Sequence, residues 1–379
     1  MSATLNLDHG FHVHIWQARF WRRALSPYSI YRHYPVLHAV RVGLAYLLTV
    51  ALVLGFDIPH GEWMSITVLI VMGSLPHLGS IFKKARQRAI GTAAGALAGI
   101  LLIALFTKVA WLGYVLLVLA AAICGYLAIG PLGYIALIAG VTLTIIAGPG
   151  STDMHAALWR SANIFAGGIV ALTFARLLPQ RATDHWRYLL ADNLRECASL
   201  YNRLATLDLP SPKLMQALLE PLNKRLVMQR TLFAAVLDET GFPKRDLEQI
   251  QRTQRSMIEL LELLADALAH AEPQQLQAQS AVWYPATRHT LTLLRTTAHA
   301  LKFDRQDRLF RVALPLPESR TPPGQASGDI HAAGFAWLNL QARRQATEIS
   351  LLLRQNVGHW ISRSAQPLWT VGTSGNQKP

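Results

Sequence analysis

The chain has 379 residues, of which 51% are hydrophobic, and its 36 Lys and Arg against 22 Asp and Glu give a formal net charge of +14. In a soluble protein this charge would indicate a nucleic-acid partner, but long apolar segments favour a membrane protein whose cytoplasmic loops concentrate basic residues, so no nucleic acid is expected. Cys124 lies in an apolar run and Cys197 in a polar one, which argues against a disulfide between them.

Residues 1–34 form an N-terminal arm in which arginines stand among aromatic residues. No compact apolar segment with a small-residue cleavage site follows closely, so no removable signal peptide is predicted. The mixture of basic and aromatic residues is typical of a cytoplasmic or interfacial arm, with a helix that lies on the membrane surface.

Residues 35–180 are predicted to form a transmembrane domain of six helices, at about 36–56, 62–78, 88–107, 110–129, 131–149 and 157–178. Residues 109–152 contain no Asp, Glu, Lys or Arg, and a helix needs about 20 apolar residues to cross a bilayer. Basic residues concentrate in the arm, between Lys83 and Arg88, and after Arg181. This distribution predicts a multi-pass protein of the bacterial inner membrane with both termini in the cytoplasm.

A weak internal repeat relates the two halves of this domain, because residues 59–105 reappear 72 positions later. Arg88 then matches Arg160, and Gly95 matches Gly167. A three-span unit must insert in opposite senses, so the pattern predicts two inverted three-helix repeats, a common design of secondary transporters. Short segments rich in Gly and Pro, at 63–76 and 130–150, mark either a central ligand site or ordinary turns.

From Arg181 the sequence is polar, with apolar residues at helical spacing. Helices are predicted at about 182–206, 212–240, 244–271, 277–301 and 333–360, separated by Pro and Gly. Residues 181–361 are therefore interpreted as a cytoplasmic α-helical domain, followed by a disordered tail at 362–379. The predicted fold class is all-α, an integral membrane protein with a cytoplasmic helical domain.

The span from Trp63 to Pro76, followed by the run Lys84-Ala-Arg-Gln-Arg88-Ala-Ile-Gly91-Thr92-Ala-Ala-Gly95, resembles the fusaric acid resistance protein-like family of aromatic acid exporters. It is similar in outline to the plant aluminium-activated malate transporters. The family pattern is a Trp-containing span, a Pro, a basic loop, and a span that opens Arg-xx-Gly-Thr-xx-Gly. Asn163 stands in the second half where the family pattern has an acidic residue.

The resemblance implies efflux of small organic acids, with aromatic carboxylic acids as the expected class and the proton gradient as the energy source. Several family members have twice this length, which implies that this chain works as a homodimer. The expected partners are the lipid bilayer, a small organic anion, a second copy and a periplasmic adaptor protein. An anion channel, and a membrane-anchored interaction or regulatory protein, remain as alternative functions.

Arg88 and Arg160 are expected at helix starts, where the macrodipole and the unpaired amides add to the guanidinium charge and favour a carboxylate. They could instead be interfacial anchors that reach to headgroups. Trp63 could stack on an aromatic substrate or belong to the interfacial belt. The complete set of expected substrate-binding residues is Arg88, Arg160, Arg41, Trp63, Thr67, Thr92 and Asn163.

Three acidic residues, Asp57, Glu62 and Asp153, are predicted at the outer ends of the spans, as proton-relay groups or as solvated loop charges. Gly91, Gly95 and Gly99 are spaced four apart, and with Gly167 they are expected to let helices pack closely. The sequence contains no P-loop, GxSxG or HExxH motif, so no enzyme activity, metal or cofactor is expected.

Overall fold

The computed structural model describes residues 27–74, 77–148, 154–177, 180–278, 280–311 and 329–361. Within these ranges the chain is helical and contains no strand, which confirms the all-α prediction. The expected surface helix of the N-terminal arm, the expected disordered tail at 362–379, and Asp153 lie outside the described residues.

The chain divides into two compact units, one ending at Arg181 and the other beginning at Ala182. The first unit has seven helices among its described residues: α1 (Pro27–Arg32), α2 (Tyr34–Phe56), α3 (Glu62–Met72), α4 (Leu78–Phe106), α5 (Ala110–Ile129), α6 (Gly133–Ala147) and α7 (Met154–Leu177).

Four helices of this unit, α2, α4, α5 and α7, are long and apolar enough to cross a membrane. The other two apolar helices are shorter, with 11 residues in α3 and 15 in α6. At 1.5 Å per residue α3 is about 17 Å long, roughly half the thickness of the hydrocarbon core. These short helices occupy matching positions in the two copies of the repeat, and each coincides with a segment interrupted by Gly and Pro.

The start of α4 differs from the prediction, which placed Lys83, Lys84, Arg86 and Arg88 in a basic loop before a span at 88. The helix begins at Leu78, so all four basic residues lie within it. Lys, Arg, Gln and Ala are strong helix formers, and the basic segment contains none of the Gly or Pro that would interrupt a helix. The charged run is therefore the first part of a helix of 29 residues.

The third helix of each repeat copy packs against the second helix of the other copy. Along α4, Gly91 approaches Ile135 and Ile138 of α6, and Gly99 approaches Ile146. The residue numbers of the contacting positions increase in the same direction along both helices, so α4 and α6 run parallel. Gly167 of α7 likewise approaches Met64 and Thr67 of α3. Parallel pairs of this kind are compatible with six crossings.

Two clusters of buried side chains form the core of the first unit. One joins α2, α3, α4 and α7 through Ala45, Val68, Val71, Met72, Ile81, Ala85, Ala171 and Ala175. The other joins α4, α5, α6 and α7 through Leu102, Ile103, Leu117, Leu143, Ile146, Ala147 and Ala157. The first cluster includes residues that adjoin the cavity described below.

The second unit packs amphipathic helices around a large apolar core that includes Trp186, Tyr201, Phe335 and Trp360. Its N-terminal helix is fixed at its start, where Glu239 accepts hydrogen bonds from the backbone amides of Ala182 and Thr183. The helices are α8 (Ala182–Ala205), α9 (Pro212–Thr240), α10 (Lys244–His270), α11 (Pro273–Ala278), α12 (Ser280–Phe303), α13 (Gln306–Arg311), α14 (Ile330–Gln355) and α15 (Val357–Trp360).

Candidate anion-binding site

A cavity of about 260 Å³ lies between α3, α4 and α7 in the first unit. Its volume lies just below the range of small-molecule sites, which is roughly 300–1,000 Å³. Its lining is apolar except for one threonine and two arginines, and consists of Thr67, Val71, Phe82, Ala85, Arg86, Arg88, Ala89, Ile164, Phe165, Gly168, Ile169 and Leu172.

Arg88 supplies a buried positive charge at this cavity, since only 6% of the residue is exposed. Its Nη2 donates a hydrogen bond to Thr67 Oγ1 at 3.3 Å, and Thr67 Oγ1 donates to the carbonyl oxygen of Trp63 at 2.8 Å. The Nε atom of Arg88 has no hydrogen-bond partner among the described residues. The guanidinium group therefore retains a donor that an additional acceptor in the cavity could use.

No carboxylate balances this charge within the described apolar helices of the unit. Apart from Glu62 at the start of α3, the helices α2 to α7 contain no Asp or Glu. A buried cation without a counter-ion is unfavourable, because desolvation removes its interaction with water and only weak dipoles replace it. The site is therefore suited to a small anion that arrives with its own apolar body.

Arg160, which matches Arg88 in the repeat, has a different environment. It is half-buried, and its Nη1 donates to the carbonyl oxygen of Ile145 at 3.0 Å, near the C-terminal end of α6. Helix ends leave carbonyl groups without intrahelical donors, and basic side chains commonly satisfy them. Thr67, the partner of Arg88, has Ala139 as its repeat equivalent, so the hydroxyl that fixes Arg88 is absent from the second copy.

The expectation that both arginines stand at helix starts is wrong. Arg88 lies about three turns into α4, and Arg160 about two turns into α7. The macrodipole acts within about the first turn of a helix, so it adds little at either position. The positive charge at the cavity instead comes from the guanidinium groups themselves, from buried Arg88 and from exposed Arg86.

The remaining expected substrate-binding residues do not line the cavity, and three of them lie elsewhere among the apolar helices. Arg41 is fully buried in α2 with its Nη2 3.0 Å from His38 Nδ1. Asn163 donates to the carbonyl oxygens of Pro59 and His60, at 2.8 and 3.0 Å, and so ties the turn before α3 to α7. Thr92 is fully buried one turn after Arg88, and its hydroxyl has no partner among the described residues. Of the seven expected residues, Arg88 and Thr67 line the cavity.

Two of the proton-relay candidates, Asp57 and Glu62, lie on either side of the turn between α2 and α3 and are exposed. His60 of this turn has its Nδ1 3.7 Å from Glu62 Oε1. Asp57 and His60 have positive φ angles of 48° and 57°, which non-glycine residues adopt rarely. The two carboxylates are thus exposed beside a turn of unusual backbone conformation, and neither lines the cavity.

A comparison with known families identifies the chain. The model of the fusaric acid resistance protein family matches residues 35–360, which include both compact units. The chain belongs to this family. It is also 32% identical over 344 residues to the inner membrane protein YeeA of Escherichia coli (strain K12), and this match covers 87% of the chain and 97% of the relative. The resemblance predicted from the Trp63–Gly95 region is thereby confirmed.

Membership in this family, together with the inner-membrane relative and the apolar helices, supports a membrane transport protein. The cavity lining also includes three residues that the sequence analysis did not predict, namely Phe82, Phe165 and Gly168. Two aromatic side chains beside a buried arginine suit an aromatic carboxylate. The spacing of Phe165, Gly168 and Leu172 on one helical face was the available signal, but in a membrane helix this pattern does not distinguish a cavity from a packing face.

Proposed function

We propose that this family member exports small aromatic carboxylic acids across the inner membrane, and that the Arg88 cavity is where the acid binds. The observation that carries the proposal is a buried guanidinium group, without a carboxylate partner, at an apolar cavity beside Phe82 and Phe165. A carboxylate can accept two parallel hydrogen bonds from a guanidinium group, and the ring of the acid occupies the apolar part. Fusaric acid, which gives the family its name, is itself an aromatic carboxylic acid.

The strength of this contact suits transport, because the substrate must also leave. A hydrogen bond to a charged group contributes about 1.5–3 kcal/mol, since the water that it replaces also bound both partners. Thr67 holds one nitrogen of Arg88, so part of the donor capacity is already used. The site therefore binds its anion moderately, with an apolar lining that selects for a hydrophobic ring.

Proton coupling is proposed to involve the turn between α2 and α3, where Asp57 and His60 lie in the turn and Glu62 begins α3. Asn163 binds two carbonyl oxygens of this turn from α7, the helix that also contributes Phe165 to the cavity. A change in charge at the turn can thus alter the position of α7. We also propose that both termini lie in the cytoplasm and that the working protein is a homodimer.

The experiment measures the rate of benzoate export from benzoate-loaded cells that have no other exporter of aromatic acids. Arg88→Gln removes the charge and retains a polar side chain, and export should fall about tenfold or more because the charged hydrogen bonds are lost. Arg88→Lys should retain part of the activity. Equal amounts of each variant in the membrane control for insertion. Wild-type export by Arg88→Gln would contradict the proposal.

The alternative of an anion channel is distinguished by replacing the exposed carboxylates with amides. In Asp57→Asn and Glu62→Gln, a proton-coupled exporter should lose accumulation against a gradient. Passive anion current through a channel should remain largely intact. Reconstituted vesicles with an imposed pH gradient measure both quantities, and unchanged gradient-driven export in the double variant would contradict proton coupling at this turn.

A further inference from the structure

Two adjacent glycines of α7 have different surroundings, and only one of them lines the cavity. A Cβ atom added to Gly167 would collide with the backbone oxygen of Met64 and would lie 2.9 Å from Thr67 Cβ. A Cβ atom added to Gly168 would meet no atom within 4 Å. Gly167 is therefore required for close packing of α7 on α3, whereas packing imposes no such requirement at Gly168.

Gly168 lies in the centre of the α7 face that lines the cavity. Phe165 precedes it and Leu172 follows it at helical spacing on the same face, and both are large. On α4 the lining includes two more small residues, Ala85 and Ala89. The absence of side-chain atoms at 168 thus leaves room in the cavity that Arg88 also lines.

The repeat shows what this position does when it carries a side chain. Ala96 stands 72 positions before Gly168, and its methyl group packs against the buried cluster that includes Leu102 and Leu143. In the first copy the position therefore contributes to the core. In the second copy the same position lines a cavity and contributes no side chain, so its room is available to a ligand.

We propose that Gly168 determines the size of the aromatic ring system that the Arg88 site accepts. With its carboxylate on Arg88, an acid extends its ring along the apolar lining, and the space beside Gly168 receives a second fused ring or a ring substituent. The substrate class is thereby widened from single-ring acids to two-ring aromatic carboxylates. This inference rests on the proposed function, since it assumes that the anion binds at Arg88.

The test compares two acids of the same charge, benzoate with one ring and 2-naphthoate with two, in export by the full-length protein. Gly168→Leu fills the space beside the site, so export of 2-naphthoate should fall about tenfold relative to export of benzoate. Gly168→Ala should show a smaller change in the same ratio. Gly43→Leu is the matched control, because Gly43 is also in an apolar helix with nothing within 4 Å and does not line the cavity. Its ratio should equal that of the wild type.

A chemical measurement complements transport and does not depend on activity. In a Cys124→Ala background, Gly168→Cys should react with a small maleimide, and 2-naphthoate should slow the reaction. An unchanged ratio of the two acids in Gly168→Leu, an equal loss of both, or no protection of Gly168→Cys would overturn the role of Gly168.

The function itself is tested separately by Arg88→Gln, which should reduce export of both acids. If Arg88→Gln exports both normally, the proposed function fails.

Discussion

At the scale of single residues, Arg88 and Arg160 show how one sequence repeat produces two different environments. Arg88 donates to a threonine hydroxyl and lines an apolar cavity, whereas Arg160 donates to a backbone carbonyl at a helix end. The Nε atoms of both arginines lack a hydrogen-bond partner among the described residues. The threonine that binds Arg88 has Ala139 as its repeat equivalent, so the same contact is not available to Arg160. The two arginines therefore have different surroundings, and a role for each in anion binding stays a prediction.

Arg160→Met is predicted to affect stability more than substrate binding. The variant removes the donor to the Ile145 carbonyl oxygen, and a buried acceptor that loses its donor costs about 1–3 kcal/mol. Thermal unfolding of the purified protein should therefore begin at a lower temperature, while the folded fraction binds benzoate as the wild type does. A variant with wild-type thermal stability and weakened benzoate binding would show that Arg160 belongs to the anion site.

His185 is predicted to make the helical domain sensitive to acid. Burial lowers the pKa of this imidazole from its ordinary value of 6.5 to about 4. The group is neutral in both states above pH 6.5, but between 6.5 and 4 the unfolded chain takes up a proton that the folded domain does not. Stability therefore falls as the pH drops through this window, by about 3 kcal/mol in total.

Alkylation of Cys197 measures how often the helical domain unfolds. The thiol is fully buried and burial raises its pKa to about 12, so it reacts only when the domain opens. The alkylation rate, corrected for the thiolate fraction of an exposed cysteine, should rise from pH 7 to pH 5. In His185→Gln, which has no group that titrates there, the rise should be smaller. An equal rise in both proteins would assign the acid sensitivity to other groups.

At the scale of elements, the glycine-lined contact between α4 and α6 is predicted to be essential for folding of the membrane unit. A Cβ atom at Gly95 would collide with the backbone oxygen of Ala139 and lie 2.8 Å from Thr142 Cβ. Gly95→Leu should therefore separate the helices and yield aggregated protein on size-exclusion chromatography. Gly43→Leu, in open surroundings on α2, should elute as the wild type does. Monodisperse Gly95→Leu protein would contradict this contact.

Much of the element pattern could be predicted from sequence, because it depends on local signals. The predicted helix at 244–271 is observed as Lys244–His270, with Pro243 before it, and the predicted 212–240 agrees at both ends. The start of α4 could not be predicted, because hydropathy marks where a helix enters the apolar region and not where the helix begins. The charges of Lys83 and Arg86 predicted a loop, although Lys and Arg are good helix formers.

The proposed binding site was less predictable than the helices. The repeat points to Arg88 through its match with Arg160, and Thr67 stands in the Trp63–Pro76 run that carries the family resemblance. Phe165 and Gly168 carried no such signal, since an aromatic residue and a glycine are common in any membrane helix. Their role depends on how α3, α4 and α7 pack together, and that arrangement joins residues far apart in the chain.

At the scale of the whole molecule, the two copies of the repeat are held together by contacts between their helices. The second and third helices of each copy pack across to the other copy, so the two copies form one interlocked unit. Asn163 of the second copy donates to two carbonyl oxygens of the turn before α3, so this turn is also bound to α7. If the proposed transport proceeds by alternating access, we expect these contacts to couple the two copies as they move.

Equilibrium binding of radiolabelled benzoate to the purified full-length protein tests directly whether an aromatic acid binds at Arg88. Arg88→Gln and Arg160→Gln form a matched pair, since both remove one guanidinium group at equivalent repeat positions. If the acid binds at Arg88, Arg88→Gln should weaken binding about tenfold or more, whereas folded Arg160→Gln should bind as the wild type does. Equal affinity in the wild type and Arg88→Gln would show that the acid does not bind at Arg88.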